Sequence, residues 1–358
     1  MDPMEWWTYR RRSLRLTPAE GAVASGLAGW VPRRVIDVHT HCTRPEDVGV
    51  LPPAYRRLPL ATFPHYTLDD AQYSRILFWP DHEVTSLRFS SPISGIDHRA
   101  ANRYLLENAP GRGDEFVGFG IPDDPSYTRA LLDHPATRAL KMYHRYYDPP
   151  ATTLAEFLPD EILTKAARVN IPLILHLPRP PAAVIDELMR MLAAHPALRI
   201  VLAHIGTARP GSAEDLAALR EAATLQNVYC DTALVINSEL VEQALLIFGP
   251  ERVLYGSDEP LSLISAAEYE HPDKGKQWVS FVPYHWLDQT DARVHREHAG
   301  SEMLLHFAQL VAIRDATTRA FTGALRARAL AEIFHAGAVR LFGAARRAPE
   351  AGTDPRAR

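Results

Sequence analysis

The sequence predicts a parallel (β/α)8 barrel, an α/β fold in which eight strands alternate with helices. Short, continuous apolar runs alternate with segments of helical spacing, which is typical of βαβ units whose sheet is buried on both faces. Several runs end in a histidine or an aspartate, and side chains at C-terminal strand ends form the active site of such barrels. The predicted strands are 35–40, 75–79, 115–121, 139–143, 172–177, 199–205, 227–232 and 252–257.

Helical segments lie between and after these strands. The segment 97–108 begins with Asp97, which is a good N-cap residue. The other segments combine helical apolar spacing with residues of high helix propensity. They are 154–169, 180–194, 212–224, 237–248 and 324–342.

Two connections are too long for simple strand-to-helix turns. Residues 43–74 follow the first predicted strand, and 261–300 follow the eighth. We therefore expect long loops after strands 1 and 8 that lie over the barrel mouth. The expected organisation is an N-terminal extension at 1–34, the barrel at 35–343 and a flexible tail at 344–358.

Composition and charge narrow the classes of partner. With 358 residues and 46% hydrophobic content, the chain can bury one large core. A formal net charge of −4 and the lack of a long apolar run argue against nucleic-acid binding and against a membrane. The N-terminus lacks the apolar part of a secretory signal, and two cysteines cannot form a disulfide framework, so we expect a cytoplasmic protein. A homodimer is the commonest oligomer.

The first predicted strand ends in two histidines, His39 and His41. Alternate residues of a strand share a face, so the two imidazoles lie about 7 Å apart along one side of the sheet. Both can bind one metal ion from there, although a pair of ordinary surface histidines is the simplest alternative. The pattern recurs at His176, His204 and Asp258, each near the end of a later apolar run, which favours a metal site.

As an ordered set, these strand-end motifs resemble those of the amidohydrolase superfamily. The resemblance is closest to the amidohydrolase-related branch, which also contains aminocarboxymuconate-semialdehyde decarboxylase-like enzymes. It extends from about 35 to 343 and implies a metal-dependent enzyme on a (β/α)8 barrel. The motifs are Asp37–His41, Leu140–Tyr143, Ile174–His176, Leu202–Gly206, Val228–Thr232 and Leu254–Pro260.

The resemblance assigns roles to individual residues. It implies that His39, His41 and His176 bind a metal together with Asp258, which also shuttles a proton. His204 resembles a histidine that binds a second metal in binuclear members and transfers a proton or polarises the substrate in mononuclear ones. Such nitrogen and oxygen ligands suit Zn²⁺, with one or two ions, and are also compatible with Mn²⁺ or Fe²⁺.

Lys141, near the end of the fourth predicted strand, has three interpretations. Some amidohydrolases carry a carboxylated lysine here that bridges two metals. Alternatively, the side chain binds an anionic group of the substrate or extends into solvent. An unmodified ammonium beside two cations is strongly disfavoured, so the number of metal ions depends on which interpretation holds.

Further candidates follow other strand ends. Arg44, His144, Arg145 and Arg179 are candidates for holding a substrate anion, with a solvated surface role as the alternative. Asp231 is expected to orient a neighbouring group by hydrogen bonds. An aromatic lid is also conceivable, although such residues equally often pack loops onto barrels. Its members would be Trp79, His82, Trp278, Tyr284, His285 and Trp286.

Three functions are compatible with these residues. The leading hypothesis is a hydrolase that cleaves a C–N or C–O bond of a small molecule, in an amide, lactam, lactone or ester. A metal-bound hydroxide would attack, and Asp258 would transfer the proton. The second hypothesis is a metal-dependent non-oxidative decarboxylase, with Arg44 or Arg145 holding a carboxylate. The third is a non-catalytic binding barrel, which five convergent polar groups argue against.

Overall fold

Eight parallel strands pair in chain order, each with the next. The computed structural model describes residues 16–51, 65–92, 94–272, 275–280, 297, 298 and 300–343. The strands are β1 (Arg34–His41), β2 (Glu83–Phe89), β3 (Glu115–Phe119), β4 (Thr137–Tyr143), β5 (Leu173–His176), β6 (Ile200–Leu202), β7 (Val228–Asp231) and β8 (Val253–Leu254).

Backbone hydrogen bonds between β1 and the segment after β8 close the sheet into a barrel. Val38 N donates to Tyr255 O at 2.9 Å, and Asp258 N donates to His39 O at 2.8 Å. His41 N donates to Glu259 O at 2.7 Å. The (β/α)8 fold predicted from the sequence is therefore confirmed, and its closure runs through Tyr255, Asp258 and Glu259.

The helices lie outside the strands, and capping residues fix where they begin. The predicted N-cap Asp97 accepts hydrogen bonds from Arg99 N and Ala100 N. The α-helices are α1 (Pro18–Gly26), α2 (Leu68–Phe78), α3 (His98–Asn108), α4 (Pro125–Asp133), α5 (Asp160–Val169), α6 (Ile185–Ala194), α7 (Ala213–Ala223), α8 (Ser238–Phe248), α9 (Leu305–Ala320) and α10 (Gly323–Ala331). After α10 the chain continues to Gly343 mostly in π-type turns.

The prediction of the second strand was wrong. Residues 75–79 form the C-terminal end of α2 and its cap, and the strand is Glu83–Phe89. A short apolar run fits a buried strand and the end of a buried helix equally well. The true strand contains Arg88, a charged residue that is fully buried, so its hydrophobic signal is weak.

Two other strands are shorter than the predicted 199–205 and 252–257. The sixth ends at Leu202 because the next turn contains residues with positive φ, including His204 at 56° and Ile205 at 52°. The eighth is regular only over Val253–Leu254. In both cases the chain leaves strand geometry just before the candidate site residue.

Long connections follow β1 and β8, as predicted. The first runs from β1 to α2, and 52–64 of it lie outside the described residues. The second contains an antiparallel hairpin of β9 (Ser265–His271) and β10 (Gly275–Val279). Strand β11 (Met303–Leu304) pairs with the other edge of β9 before α9 begins.

The barrel has two apolar layers, which follow from the alternation of side chains along each strand. In β5, Ile174 packs inside the barrel, whereas Leu173 and Leu175 pack outward in the layer shared with the helices. The interior layer includes Val38, Leu87, Val117, Ala139, Ile174, Val201 and Leu254. Within the described part of the chain, none of the helices has the length and apolar character that a bilayer crossing requires.

His306, in the first turn of α9, is fully buried in the outer layer. Its ring stacks on Phe78 at a centroid distance of 4.7 Å and packs edge-on against Trp79 at 5.5 Å. Neither ring nitrogen has a hydrogen-bond partner among the described residues. Burial lowers the pKa of His306 from 6.5 to about 3, so the folded protein holds this imidazole neutral.

We expect His306→Phe to reduce the acid sensitivity of the fold. Because the pKa of His306 is lower in the folded state, the unfolded chain alone binds a proton as the pH falls from 6.5 toward 3, and stability is lost over that window. At pH 5 this loss amounts to about 2 kcal/mol. Urea unfolding at pH 7 and pH 5 should show a smaller drop for the variant, and equal drops would contradict the assignment.

Candidate active site

Three side chains from two parts of the chain converge at the C-terminal end of the barrel. His39 and His41 end β1, and Asp258 follows β8; all three are buried. His41 Nε2 lies 2.8 Å and His39 Nε2 3.4 Å from Asp258 Oδ1. The possible ligand atoms of these three residues lie within 4.8 Å of one another, and they form the one such group found in the described part of the chain.

Hydrogen bonds fix the ring orientation of four histidines at the strand ends. In each, Nδ1 faces an oxygen that can only accept: His39 with Asp231 Oδ2 at 2.9 Å, His41 with Ser90 O at 3.3 Å, His176 with Leu177 O at 2.9 Å and His204 with Ala233 O at 2.7 Å. In the neutral rings of His39, His176 and His204, Nδ1 is therefore the nitrogen that carries the proton, and the lone pair of Nε2 is available to a metal or to a proton. His41 differs, because its Nε2 also faces an acceptor, Asp258 Oδ1 at 2.8 Å, so it must release any proton there before it binds a cation.

Burial keeps the donor groups in their metal-binding forms. It lowers the pKa of His39 and of His176 well below 6.5, which favours neutral imidazole at pH 7. For Asp258, burial alone would raise the pKa, but the neighbouring His39 and His41 outweigh it, and the pKa is lowered below 3.8. The neutral imidazoles of His39 and His176 and the ionised carboxylate of Asp258 are the forms that bind a divalent cation.

The backbone around the site adopts conformations that L-residues avoid. Asp258 has φ of 61°, and His204, Ile205 and Gly206 have φ of 56°, 52° and 66°. Each such non-glycine residue costs about 1–2 kcal/mol, so surrounding contacts must hold it. Near them, position 256 accommodates only glycine, because a Cβ there would lie 2.7 Å from the His39 Cβ.

Asp231, at the end of β7, orients two of the histidines. Besides accepting from His39 Nδ1, its carboxylate accepts from His204 N at 2.8 Å and from Ala233 N at 3.1 Å. The side chain is fully buried. The structure thus gives Asp231 the orienting position that the sequence predicts.

The predicted ligands His176 and His204 lie beside the three-residue group, outside it. The imidazoles form a row, with ring centroids 4.9 Å apart for His39 and His204 and 5.1 Å apart for His204 and His176. His144 continues the row at 5.1 Å from His176. It is buried, which lowers its pKa to about 4.

Lys141 is buried at the same end of the barrel, 1% exposed. Its Nζ lies 5.1 Å from the centroid of the Phe89 ring and 5.6 Å from that of Tyr143. No hydrogen bond or ion pair joins it to any described residue. Burial lowers the pKa of Lys141 to about 8, with the charges of Asp231 and Asp258 opposing that effect, so the ammonium form dominates at pH 7.

The predicted arginines are engaged with protein groups. Arg44 binds Asp47 through Nε at 3.0 Å and Nη2 at 2.7 Å. Arg179 Nε donates to Thr152 O at 3.1 Å. Arg145 lies half-buried in the short helical turn after β4.

The predicted aromatic lid is not supported where it can be examined. Trp79 is buried in the outer layer, against Tyr255 at 5.8 Å and His306 at 5.5 Å, because it caps the outer helix α2. His82 packs against Trp79, and Trp278 lies in β10. Tyr284, His285 and Trp286 are outside the described residues.

Two supporting groups were missed at the sequence level. Asp37 Oδ1 accepts from His39 N at 3.2 Å and from Ser257 N at 2.9 Å, which ties β1 to the segment before Asp258. Its position two residues before His39 gave no usable signal, because the strand register shifts between Asp37 and Thr40 and alternation fails there. Ser90 supplies a backbone carbonyl, for which no side-chain pattern exists.

The sequence itself places the chain among known proteins. Residues 36–344 match the sequence model of the family described as Amidohydrolase. The chain belongs to the amidohydrolase family. This amidohydrolase is therefore an enzyme, and the hypothesis of a non-catalytic binding barrel was wrong. Comparison with curated proteins gives no match.

Solved structures share the barrel of this amidohydrolase at low sequence identity. An amidohydrolase from Burkholderia multivorans with bound zinc has a TM-score of 0.58 and 16% identity, over 86% of this chain and 99% of that one. A 5-carboxyvanillate decarboxylase from Novosphingobium aromaticivorans, complexed with manganese, has a TM-score of 0.53 and 12% identity, over 89% of this chain and 97% of that one. A probable 2-pyrone-4,6-dicarboxylic acid hydrolase from Acinetobacter baumannii has a TM-score of 0.53 and 14% identity, over 86% of this chain and 99% of that one. These likenesses show the fold.

We expect Asp231→Asn to weaken metal binding. The amide has one acceptor oxygen where the carboxylate has two, so with that oxygen on the N–H groups of His204 and Ala233 its NH2 group faces His39 Nδ1 and no longer fixes the tautomer. Such supporting groups are typically worth about 10- to 100-fold in metal affinity. Competition with a chromophoric chelator measures the affinity for Zn²⁺. The control is Asp215→Asn, which alters a buried carboxylate that pairs with Arg209 instead of a histidine. Equal losses in both variants would contradict the orienting role.

Proposed function

We propose that this amidohydrolase is a metal-dependent hydrolase that cleaves a C–N or C–O bond in a small amide, lactam, lactone or ester. The observation that carries the proposal is the convergence of the His39 and His41 Nε2 atoms on the Asp258 carboxylate. This is a ligand set with a proton acceptor in direct contact. It lies at the end of the barrel where such folds bind substrate.

His39, His41 and Asp258 would hold the divalent cation, with His176 as the further ligand. Zn²⁺ is our first choice, and Mn²⁺ or Fe²⁺ also suit these donors. When bound, the cation supplies Lewis acidity that polarises the bond under attack. The zinc-containing relative from B. multivorans and the manganese-containing one from N. aromaticivorans support a divalent ion.

The residues of the chain then carry the proton transfers. Asp258 is ionised, so it can take a proton from the attacking water and deliver it to the departing nitrogen or oxygen. His204 donates its Nδ1 proton to Ala233 O, which leaves Nε2 as an acceptor. We therefore assign Nε2 of His204 to orient the water or to receive a proton, because the Nδ1 proton is engaged by the Ala233 carbonyl.

Lys141 is assigned to bind an anionic group of the substrate. A buried ammonium without a hydrogen-bond partner among the described residues is costly unless a ligand compensates it. A carboxylate on the substrate would supply that counter-charge. This role leaves Lys141 unmodified, so we propose one metal ion per chain.

A metal-dependent non-oxidative decarboxylase is the second candidate. It is favoured by the same unpartnered Lys141, which fits a substrate carboxylate, and by the fold shared with the 5-carboxyvanillate decarboxylase. Against it, Arg44, one of the two arginines expected to anchor the carboxylate, is already held by the Asp47 carboxylate. Hydrolysis therefore remains the leading proposal.

Turnover in H₂¹⁸O distinguishes the two reactions. From a panel of lactones, amides and aromatic carboxylates, the compounds consumed should gain one solvent oxygen, measured by mass spectrometry. Release of CO₂ with no ¹⁸O in the organic product would establish the decarboxylase instead.

Asp258→Asn should lower kcat by about 10²–10⁴, because the proposed base is lost. Circular dichroism should show that the variant keeps its fold. Near wild-type activity in this variant would exclude Asp258 as the base.

Metal stoichiometry tests the role of Lys141. We expect one equivalent of zinc or manganese per chain by elemental analysis, whether or not bicarbonate is present during loading. Two equivalents that appear only with bicarbonate would show a carboxylated, bridging lysine. If the lysine bridges two metals, Lys141→Met should bind one ion fewer than the wild type. Under our proposal, Lys141→Met binds the same number of ions as the wild type. Lys165→Met is the matched control.

A further inference from the structure

A buried ion network lies behind the candidate metal site. Arg88 in β2 is 1% exposed, and its guanidinium contacts two buried carboxylates. Nε lies 2.9 Å from Asp114 Oδ2, and Nη1 lies 3.3 Å from Glu259 Oε2. Nη2 donates to Ser86 Oγ at 3.2 Å. We call Arg88, Asp114 and Glu259 the Arg88 network.

One end of the Arg88 network is anchored in the sheet. Asp114 directly precedes β3, and its carboxylate also accepts from Ser86 N at 3.0 Å and binds Arg75 of α2. These contacts hold the Arg88 guanidinium between strands. A charge this deeply buried must be paired, so the guanidinium has a fixed position from which to bind Glu259.

The other end belongs to the turn that presents Asp258. Glu259 is the next residue, and its carbonyl accepts from His41 N at 2.7 Å while Asp258 N donates to His39 O. Asp258 itself is in the left-handed region, with φ of 61°. The Asp258 carboxylate faces His39 and His41, whereas the Glu259 carboxylate faces Arg88 and Tyr66 OH, the latter at 3.3 Å.

This arrangement gives the turn a tether on each side. Regular strand pairing has ended at Leu254, so extended geometry alone does not fix the two residues. The backbone hydrogen bonds to β1 fix the position of the turn along the barrel axis. The Arg88–Glu259 pair holds the side opposite to Asp258, and rotation of the turn that moved the Asp258 carboxylate away from the histidines would break that buried pair.

We propose that Arg88 and Glu259 are positioning residues, whose ion pair holds the Asp258 carboxylate at the His39 and His41 rings. The proposal rests on the metal site of the proposed function. It assigns to the network an effect on coordination geometry, beyond its effect on folding. Both residues act through the turn that carries Asp258.

The test uses Co²⁺ bound to the full-length protein, since its visible spectrum reports ligand geometry without any turnover. Glu259→Gln keeps the shape of the side chain and removes its charge, and Arg88→Lys keeps a charge but loses the planar fork that reaches both carboxylates. We expect Glu259→Gln to bind Co²⁺ at least 10-fold more weakly with an altered spectrum. Arg88→Lys should lie between it and the wild type.

A purely structural role predicts a different result. It would lower the thermal unfolding midpoint but leave the Co²⁺ spectrum and Kd of the folded variants within twofold of wild type, which overturns the proposal. Loss of folding in both variants would also assign the network to stability alone. Failure of the wild type to bind Co²⁺ would instead refute the metal site. Asp215→Asn is the control for breaking a buried carboxylate's ion pair elsewhere.

Discussion

The closure of the barrel between β1 and the segment after β8 is the constraint on which the site depends. Three backbone hydrogen bonds join these segments, and two of them involve Asp258 or Glu259 directly. The same contacts that complete the cylinder therefore bring the Asp258 carboxylate to His39 and His41. That part of the chain is irregular, so strand hydrogen bonds alone do not hold it in place. Side-chain contacts of Asp37 and Glu259 supply the remaining support.

Burial determines the chemical state of the site as much as its shape. His39 and His176 are neutral because a buried imidazolium would lose its solvation, and the acceptor oxygen beside Nδ1 of each ring fixes which nitrogen keeps the proton. Lys141 is affected in the opposite sense: burial destabilises its charge, but nearby carboxylates keep it mostly protonated. The result is a site with electron-pair donors on one side and, on the other, one ammonium that has no hydrogen-bond partner among the described residues.

Much of this was accessible from the sequence because strand alternation and strand ends are local patterns. They predicted the barrel and brought His39, His41 and Asp258 together correctly. The errors came from positions where tertiary contacts override local preference. The run 75–79 lacked any signal to separate helix from strand, and the buried Arg88 made the true β2 look polar. The left-handed turn at His204 could not be predicted, because histidine and isoleucine are not typical of that conformation. Hydrogen bonds to backbone carbonyls such as Ser90 O depend on the fold and leave no side-chain pattern in the sequence.

The path of β1 at the metal site depends on a missing side chain on a neighbouring segment. A Cβ at Gly256 would lie 2.7 Å from the Cβ and 3.4 Å from the backbone nitrogen of His39, so any side chain there would push β1 away. A change of residue at 39 would not relieve this contact, because every residue except glycine carries a Cβ. A substitution at Gly256 would therefore displace the His39 ring and impair the chemistry of this enzyme, although Gly256 itself binds no metal.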